Sequence, residues 1–92
     1  MWYVYILKCE RDNYYVGITN NVERRFEDHK RGAGAGFTRK NKPLAIVYRE
    51  AFTTGSLAKK REQQLKRWSR AKKKALIAGD IAKLRGLSTS HD

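Results

Sequence analysis

WYVYILKCERDNYYVGIT, Trp2–Thr19, is the stretch whose reading decides the fold. Two aromatic and β-branched runs, 2–9 and 14–19, flank the polar residues ERDN at 10–13. Such runs favour extended backbone, and so short a polar break joins them as a hairpin. The first two strands are therefore expected to be antiparallel. Side chains alternate across a strand, so Tyr3 and Tyr5 share one face while Tyr14 and Tyr15 point to opposite faces. Gly17 interrupts the second run, which marks a bulge or a close approach by another group.

Working outward, Asn20 offers a helix cap with Glu23 three residues on, which predicts a capping box and a helix over about 21–31. GAGAG at 32–36 ends it. Residues 32–43 read as a Gly-rich basic loop, a mobile rim closed by Pro43. LAIVYREAF (44–52) predicts a third strand with Leu44, Ile46 and Tyr48 on one face and Ala45 and Val47 on the other. TTGS introduces a helix over about 56–67, and Ser69 caps another over about 70–79. The order ββαβαα predicts a small α/β (α+β) layer fold. Ninety-two residues make one domain, expected over 1–87 with a flexible tail at 88–92.

The formal net charge is +12. That excess does nothing for folding and attracts polyanions: nucleic acid first, an anionic membrane surface second. No helix pairs a basic face with a broad apolar one, which makes the membrane reading the weakest. No apolar run approaches the ~18 residues of a spanning helix, and no charged segment precedes the N-terminal apolar run as in a signal peptide. A single cysteine, Cys9, cannot form an internal disulfide, and one Cys with two His supplies no zinc set. These features fit a reducing cytoplasm.

The first helix carries the first chemical signal. Val22, Arg25, Phe26 and His29 follow the i, i+3, i+4, i+7 spacing of one face. Singly, Arg25 is explained by snorkelling and His29 as a helix end. Together they make an anion-handling pair, a bidentate fork for phosphate beside a group that moves protons near neutral pH. The tyrosines Tyr3, Tyr5, Tyr14 and Tyr15 suit strands for their packing alone. A phenol beside a guanidinium is nevertheless a candidate general base, because a cationic neighbour lowers its pKa. Glu62 is the only acid between Gly55 and Gly79. It lies at the edge of the apolar arc Leu57, Ala58, Leu65 and Trp68, an arc into which Arg61 also falls. Glu62 pairs with Lys66 at i+4 or holds a divalent metal against a phosphate; both readings stand. Nine of the sixteen residues 59–74 are Lys or Arg. This run, with Lys59, Lys66, Arg67, Arg70 and Lys73, is the expected nucleic-acid surface, extended by Arg39, Lys40 and Lys42.

YVY (3–5), YVG (15–17), RRFEDH (24–29) and AKKREQQLKRW (58–68) in this order resemble the GIY-YIG nuclease family, in its small single-domain excinuclease-C-like branch. The resemblance runs from Trp2 to about Leu87. It implies a three-stranded antiparallel sheet flanked by helices. It also implies metal-dependent endonucleolytic hydrolysis of DNA phosphodiesters, in repair or processing, with one Mg²⁺ or Mn²⁺ on Glu62. By position, Tyr5 and Tyr15 match the two motif tyrosines, Gly17 the motif glycine, Arg25 the helix arginine, His29 the residue one turn later and Glu62 the metal-binding glutamate. In that scheme Arg25 neutralises charge on the phosphate, Tyr15 helps deprotonate water, and Tyr5 and His29 orient the water or relay its proton. Two positions depart: Tyr3 replaces the first glycine, and Ile81 stands where many relatives carry asparagine. The second departure motivates an alternative, a nucleic-acid-binding module that no longer cuts, and a third reading is a basic adaptor for RNA. DNA is the expected partner and RNA the second, with no membrane, for a monomer or weak homodimer in a bacterial cytoplasm. So small a protein has little surface for reading bases, which favours recognition of DNA structure or backbone.

Overall fold

The computed structural model of the chain describes residues 1–34 and 36–88. Its strands are β1 (Trp2–Cys9), β2 (Asn13–Thr19) and β3 (Pro43–Phe52). Its helices are α1 (Val22–Lys30), α2 (Gly36–Lys40), α3 (Gly55–Lys66), α4 (Arg70–Ala78) and α5 (Ile81–Ser88). The strands form one antiparallel sheet in the order β2-β1-β3. The expected ββαβαα sequence of elements is retained, with α2 and α5 added to it.

β1 is the central strand, and its alternation builds two cores. Val4 and Ile6 face α3 and α4 and pack with Val16, Ala58 and Leu65. Tyr5, Leu7 and Cys9 face α1 and pack with Val22 and partly buried Phe26. Fully burying side chains of this size stabilises by about 1.5–3 kcal/mol each. The result is three layers: α1 and α2 on one face, the sheet, then α3 and α4 on the other. Within the β1–β2 hairpin Tyr5 lies opposite Gly17 and Leu7 opposite Tyr15.

The β1–β2 connection is a short 3-10 turn, Glu10–Asp12, in which Arg11 and Asp12 both take left-handed backbone, at φ 62° and 60°. Such torsions strain residues that carry a Cβ, and the turn is held from outside. Arg11 donates through Nη1 to the Lys40 carbonyl at 3.0 Å. Asp12 pairs with Lys8, with Lys74 at 3.2 Å and with Arg70 at 3.8 Å, which ties the turn to α4.

Several expectations need correction. Asn21, not Asn20, caps α1, its side chain accepting from the Arg24 amide at 3.1 Å. The Asn21 amide itself donates to the Thr19 hydroxyl, so the second asparagine is the one held in capping position. No capping box forms, because Glu23 turns to Arg49 of β3 at 2.5 Å. On β3, Ile46 and Tyr48 do not share a face. Ile46 lies opposite Leu7 and Tyr48 opposite Ile6, so Val47 is an extra residue in the ladder and parity reverses there. Leu57 is 47% exposed rather than part of the buried arc. Residues 36–40 of the expected loop are helical. Residue 88 closes α5, started by the Asp80 carboxylate accepting from the Lys83 amide at 3.0 Å; the rest of the expected tail, 89–92, lies outside the described residues. Ser69 caps α4 as expected, accepting from the Lys72 amide at 3.1 Å.

Candidate active site

Tyr5 points from the centre of the sheet across its partner Gly17. A Cβ at position 17 would stand 2.7 Å from the Tyr5 hydroxyl oxygen and 3.0 Å from Cε2 of Tyr15. Glycine is thus required by close approach, the second of the two readings its place in the strand allowed. The Tyr5 hydroxyl meets His29 Nε2 at 2.9 Å, and His29 Nδ1 meets Thr38 Oγ1 at 2.8 Å. All three residues are at most 1% exposed. His29 reaches inward because it shares the apolar stripe of α1 with Val22. α2 exists to close this arrangement, delivering Thr38 to the imidazole and Phe37 to a stacked contact with Tyr15 at 6.1 Å. The Tyr15 ring centre lies 4.9 Å from His29 and 6.2 Å from Tyr5. The Gly-rich segment is no free rim at Gly34, where a Cβ would stand 2.7 Å from His29 Cε1.

The protonation pattern follows from burial. Desolvation pushes the Tyr5 phenol well above its ordinary range, with the Tyr15 oxygen adding to it; a hydrogen bond and the charge of Arg25 act the other way and lose. The expected lowering by a cationic neighbour is therefore corrected for Tyr5. Desolvation, then the charge of Arg25, lowers His29 below the usual imidazole value. Tyr5 keeps its proton and His29 is neutral at pH 7. The phenol donates to Nε2, which assigns the imidazole proton to Nδ1, where it faces Thr38. The polar sequence runs Arg25 to Tyr5 to His29 to Thr38.

Arg25 is about a third exposed, 3.9 Å from Asp28 and hydrogen-bonded to the Tyr5 oxygen. The Glu62 side chain is only 15% exposed and pairs with Lys66 at 3.4 Å, so the i+4 pairing is present. Its charge also raises the Tyr5 pKa. Arg25 from α1 and Glu62 from α3 thus act on the same phenol, and Tyr15, His29 and Gly17 surround it. Among the described residues no group of three or more His, Cys, Asp or Glu could cage a metal ion. A single, mostly buried carboxylate suits a hard cation of the Mg²⁺ type, which keeps its waters and completes its shell from a substrate phosphate.

The expected nucleic-acid residues are dispersed. Lys59 and Lys66 lie about 60° and 40° to the same side of Glu62 around α3, one turn before it and one turn after. Arg67 falls on the far side of that helix. Arg70 pairs with Asp12. Lys73 is half-buried, and desolvation followed by Arg70 lowers its pKa. Arg39 donates to the Gly32 carbonyl at 3.1 Å, and Arg39, Lys40 and Lys42 are exposed around α2. Ile81, at the start of α5, is 59% exposed. Thr38, Phe37 and Gly34 escaped the sequence reading, since nothing local marks a threonine nine residues past a histidine as its partner.

The GIY-YIG catalytic domain, as a family description, matches residues 1–75. A UPF0213 protein of Natronomonas pharaonis is 45% identical over 78 residues, spanning 85% of this chain and 92% of that protein. A UPF0213 protein of Staphylococcus haemolyticus is 43% identical over 82% of this chain and 92% of its own length. The solution NMR structure of a UPF0213 protein from Bacillus halodurans superposes with a TM-score of 0.54 at 36% identity, covering 92% of this chain and 94% of the other.

Proposed function

The chain belongs to the GIY-YIG family, and on that premise we propose that it is an endonuclease hydrolysing DNA phosphodiesters at the Tyr5–His29 pocket. The observation that carries the reading is the buried tyrosine–histidine–threonine sequence, whose phenol feels both the Arg25 guanidinium and the Glu62 carboxylate. Packing alone gives no reason to bury three polar side chains in contact, and a half-satisfied network would be worse than an apolar one.

In this mechanism the scissile phosphate docks on the exposed fork of Arg25, which neutralises charge developing on its nonbridging oxygens. Neutral His29 is the resting proton acceptor. Tyr5 hands its proton to Nε2 as it accepts one from the attacking water, and Thr38 holds Nδ1–H so that Nε2 stays free to receive. Tyr15 lines the approach to both. A Mg²⁺ or Mn²⁺ held by Glu62 would polarise the phosphate and stabilise the leaving oxygen. The substrate class is structured DNA, read through its backbone in repair or processing in the cytoplasm, by a monomer or weak homodimer.

The test is a panel of branched, flapped, nicked and plain duplex DNA with Mg²⁺, Mn²⁺ or EDTA. Cleavage is expected with metal, and Arg25→Ala and Glu62→Ala should each lower the rate on the order of 10²-fold. Near-normal cutting by both variants defeats the scheme. A second reading, a module that binds nucleic acid without cutting it, is favoured by the exposed apolar Ile81 where relatives often carry a carboxamide. Tight binding across the panel with no product under any metal would select it.

A further inference from the structure

α3 divides two environments. Glu62, whose charge reaches Tyr5, lies on one side of it, while Lys60, Gln64 and Arg67 lie at about 140–200° around the same helix. On that far side a trough of about 650 Å³ runs between α3 and α4, with Arg61 and Trp68 also on its walls. A second hollow of about 310 Å³ shares Leu57, Lys60 and Gln63 with it, so the trough continues towards the start of α3.

Its charge is arranged in two tiers. The inner cations are fixed: Arg61 lies 5.1 Å and Lys72 4.3 Å from the Trp68 ring, and Arg61 stands 3.2 Å from Glu50. The outer cations, Lys60 and Arg67, are exposed and make no ion pair among the described residues. Some exposed cations elsewhere are neutralised, Lys30 by Glu27, Arg31 by Asp28, Arg49 by Glu23 and Lys74 by Asp12, while Arg24, Lys40 and Lys42 are exposed on α1 and around α2 and unpaired among the described residues. What sets the trough apart is shape: it gathers two unpaired and two anchored cations along one elongated hollow, with amide donors from Gln63 and Gln64. The indole is engaged by two cations, so it anchors them rather than offering itself to a base. Nothing along the trough is set to read base edges.

We propose that this α3–α4 trough is a second nucleic-acid site, binding the sugar–phosphate backbone of a single strand distinct from the strand at the Tyr5 pocket. That its occupant is DNA rests on the nuclease reading; that it takes a polyphosphate backbone rests on the charge. Lys60 and Arg67 contact phosphates, and the glutamine amides donate to phosphate or sugar oxygens. A branched or flapped substrate then straddles α3, with one strand on each side.

The test measures binding of the full-length chain by fluorescence anisotropy in EDTA. The probes are a flapped duplex, a blunt duplex of equal length and polyglutamate, each over a range of salt. Lys60→Gln/Arg67→Gln is compared with Lys83→Gln/Arg85→Gln, which removes the same charge from α5. The trough variant should lose about tenfold in affinity for flapped DNA, with its log–log salt slope shallower by about 1.4, two single-strand phosphates. The α5 variant should stay within about twofold of the parent. Lys60→Gln alone should give an intermediate loss, and unchanged melting of the variants excludes unfolding. Equal losses in both double variants, no loss in the trough variant, or tighter binding of polyglutamate than of flapped DNA overturns the proposal. Cleavage is scored separately with Mg²⁺: DNA bound through the trough yet never cut defeats the nuclease reading and leaves this one standing.

Discussion

At the scale of single residues, the site depends on atoms that are absent as much as on those present. Gly17 leaves the space that the Tyr5 hydroxyl fills. Gly17→Ala must displace a fully buried ring, so thermal unfolding should show a loss of about 1–3 kcal/mol, and cleavage should fall further than stability because the phenol leaves His29. Thr38 is a positioning residue. Thr38→Val keeps the volume and removes the partner of Nδ1–H, leaving a buried donor unpaired at about 1–3 kcal/mol. Turnover should fall about tenfold, a ~1.4 kcal/mol effect on the barrier, with DNA affinity unchanged. Thr38→Ser should restore most of the rate, and an inactive Ser variant would count against the positioning role. That His29 lies on the inner face of α1 with Val22 was legible in their spacing. Thr38 was not, because a hydroxyl that serves a histidine looks locally like any other.

At the scale of elements, α1 and α2 meet through the His29 ring, and that contact titrates. The folded pKa of His29 is lowered, so between that value and the unfolded ~6.5 the unfolded chain binds more protons. Stability therefore rises with pH through this window and is lost as pH falls below about 6.5. Melting temperatures measured from pH 7.5 to 5 should drop on the acid side, and His29→Gln should flatten that drop. The cleavage rate should show an acid limb in the same region, since only neutral His29 accepts a proton. At the other end of the sheet Asp12 is held at about 2, first by its hydrogen bond to Lys8, then by that to Lys74. Its contribution is present above the ordinary carboxylate range and fades as pH falls towards about 2. Asp12→Asn should quicken amide exchange in α4 without touching α1. Most elements were readable because amphipathic periods and caps are local. α2 was hidden because five residues opening with glycine cannot form a helix unaided. The reversal at Val47 was hidden because its neighbours are equally apolar and strand-forming, so no side chain announces the extra residue.

For the molecule as a whole, a charge of +12 means that the proposed association with DNA would be a counterion-release process. With three phosphates engaged, a threefold rise in salt should weaken duplex binding roughly 20-fold, and a flat salt response would show that the basic surface is idle. The basic composition and the positions of the lysines and arginines were plain in the sequence. Their division by α3 was not, because it depends on which side of that helix faces the sheet. The middle strand carries a further consequence. Val4 and Ile6 belong to one core, and Tyr5, between them, to the other, where the proposed mechanism places the proton transfer. Truncating Ile6 to alanine costs about 2–5 kcal/mol, and any relaxation of the strand around the void drags the phenol with it. On the proposed mechanism, durability and turnover are inherited here as one trait. Laboratory selection for a hardier protein should gather its changes in α4, α5 and the turns, and leave the stretch from Val4 to Leu7 as it found it.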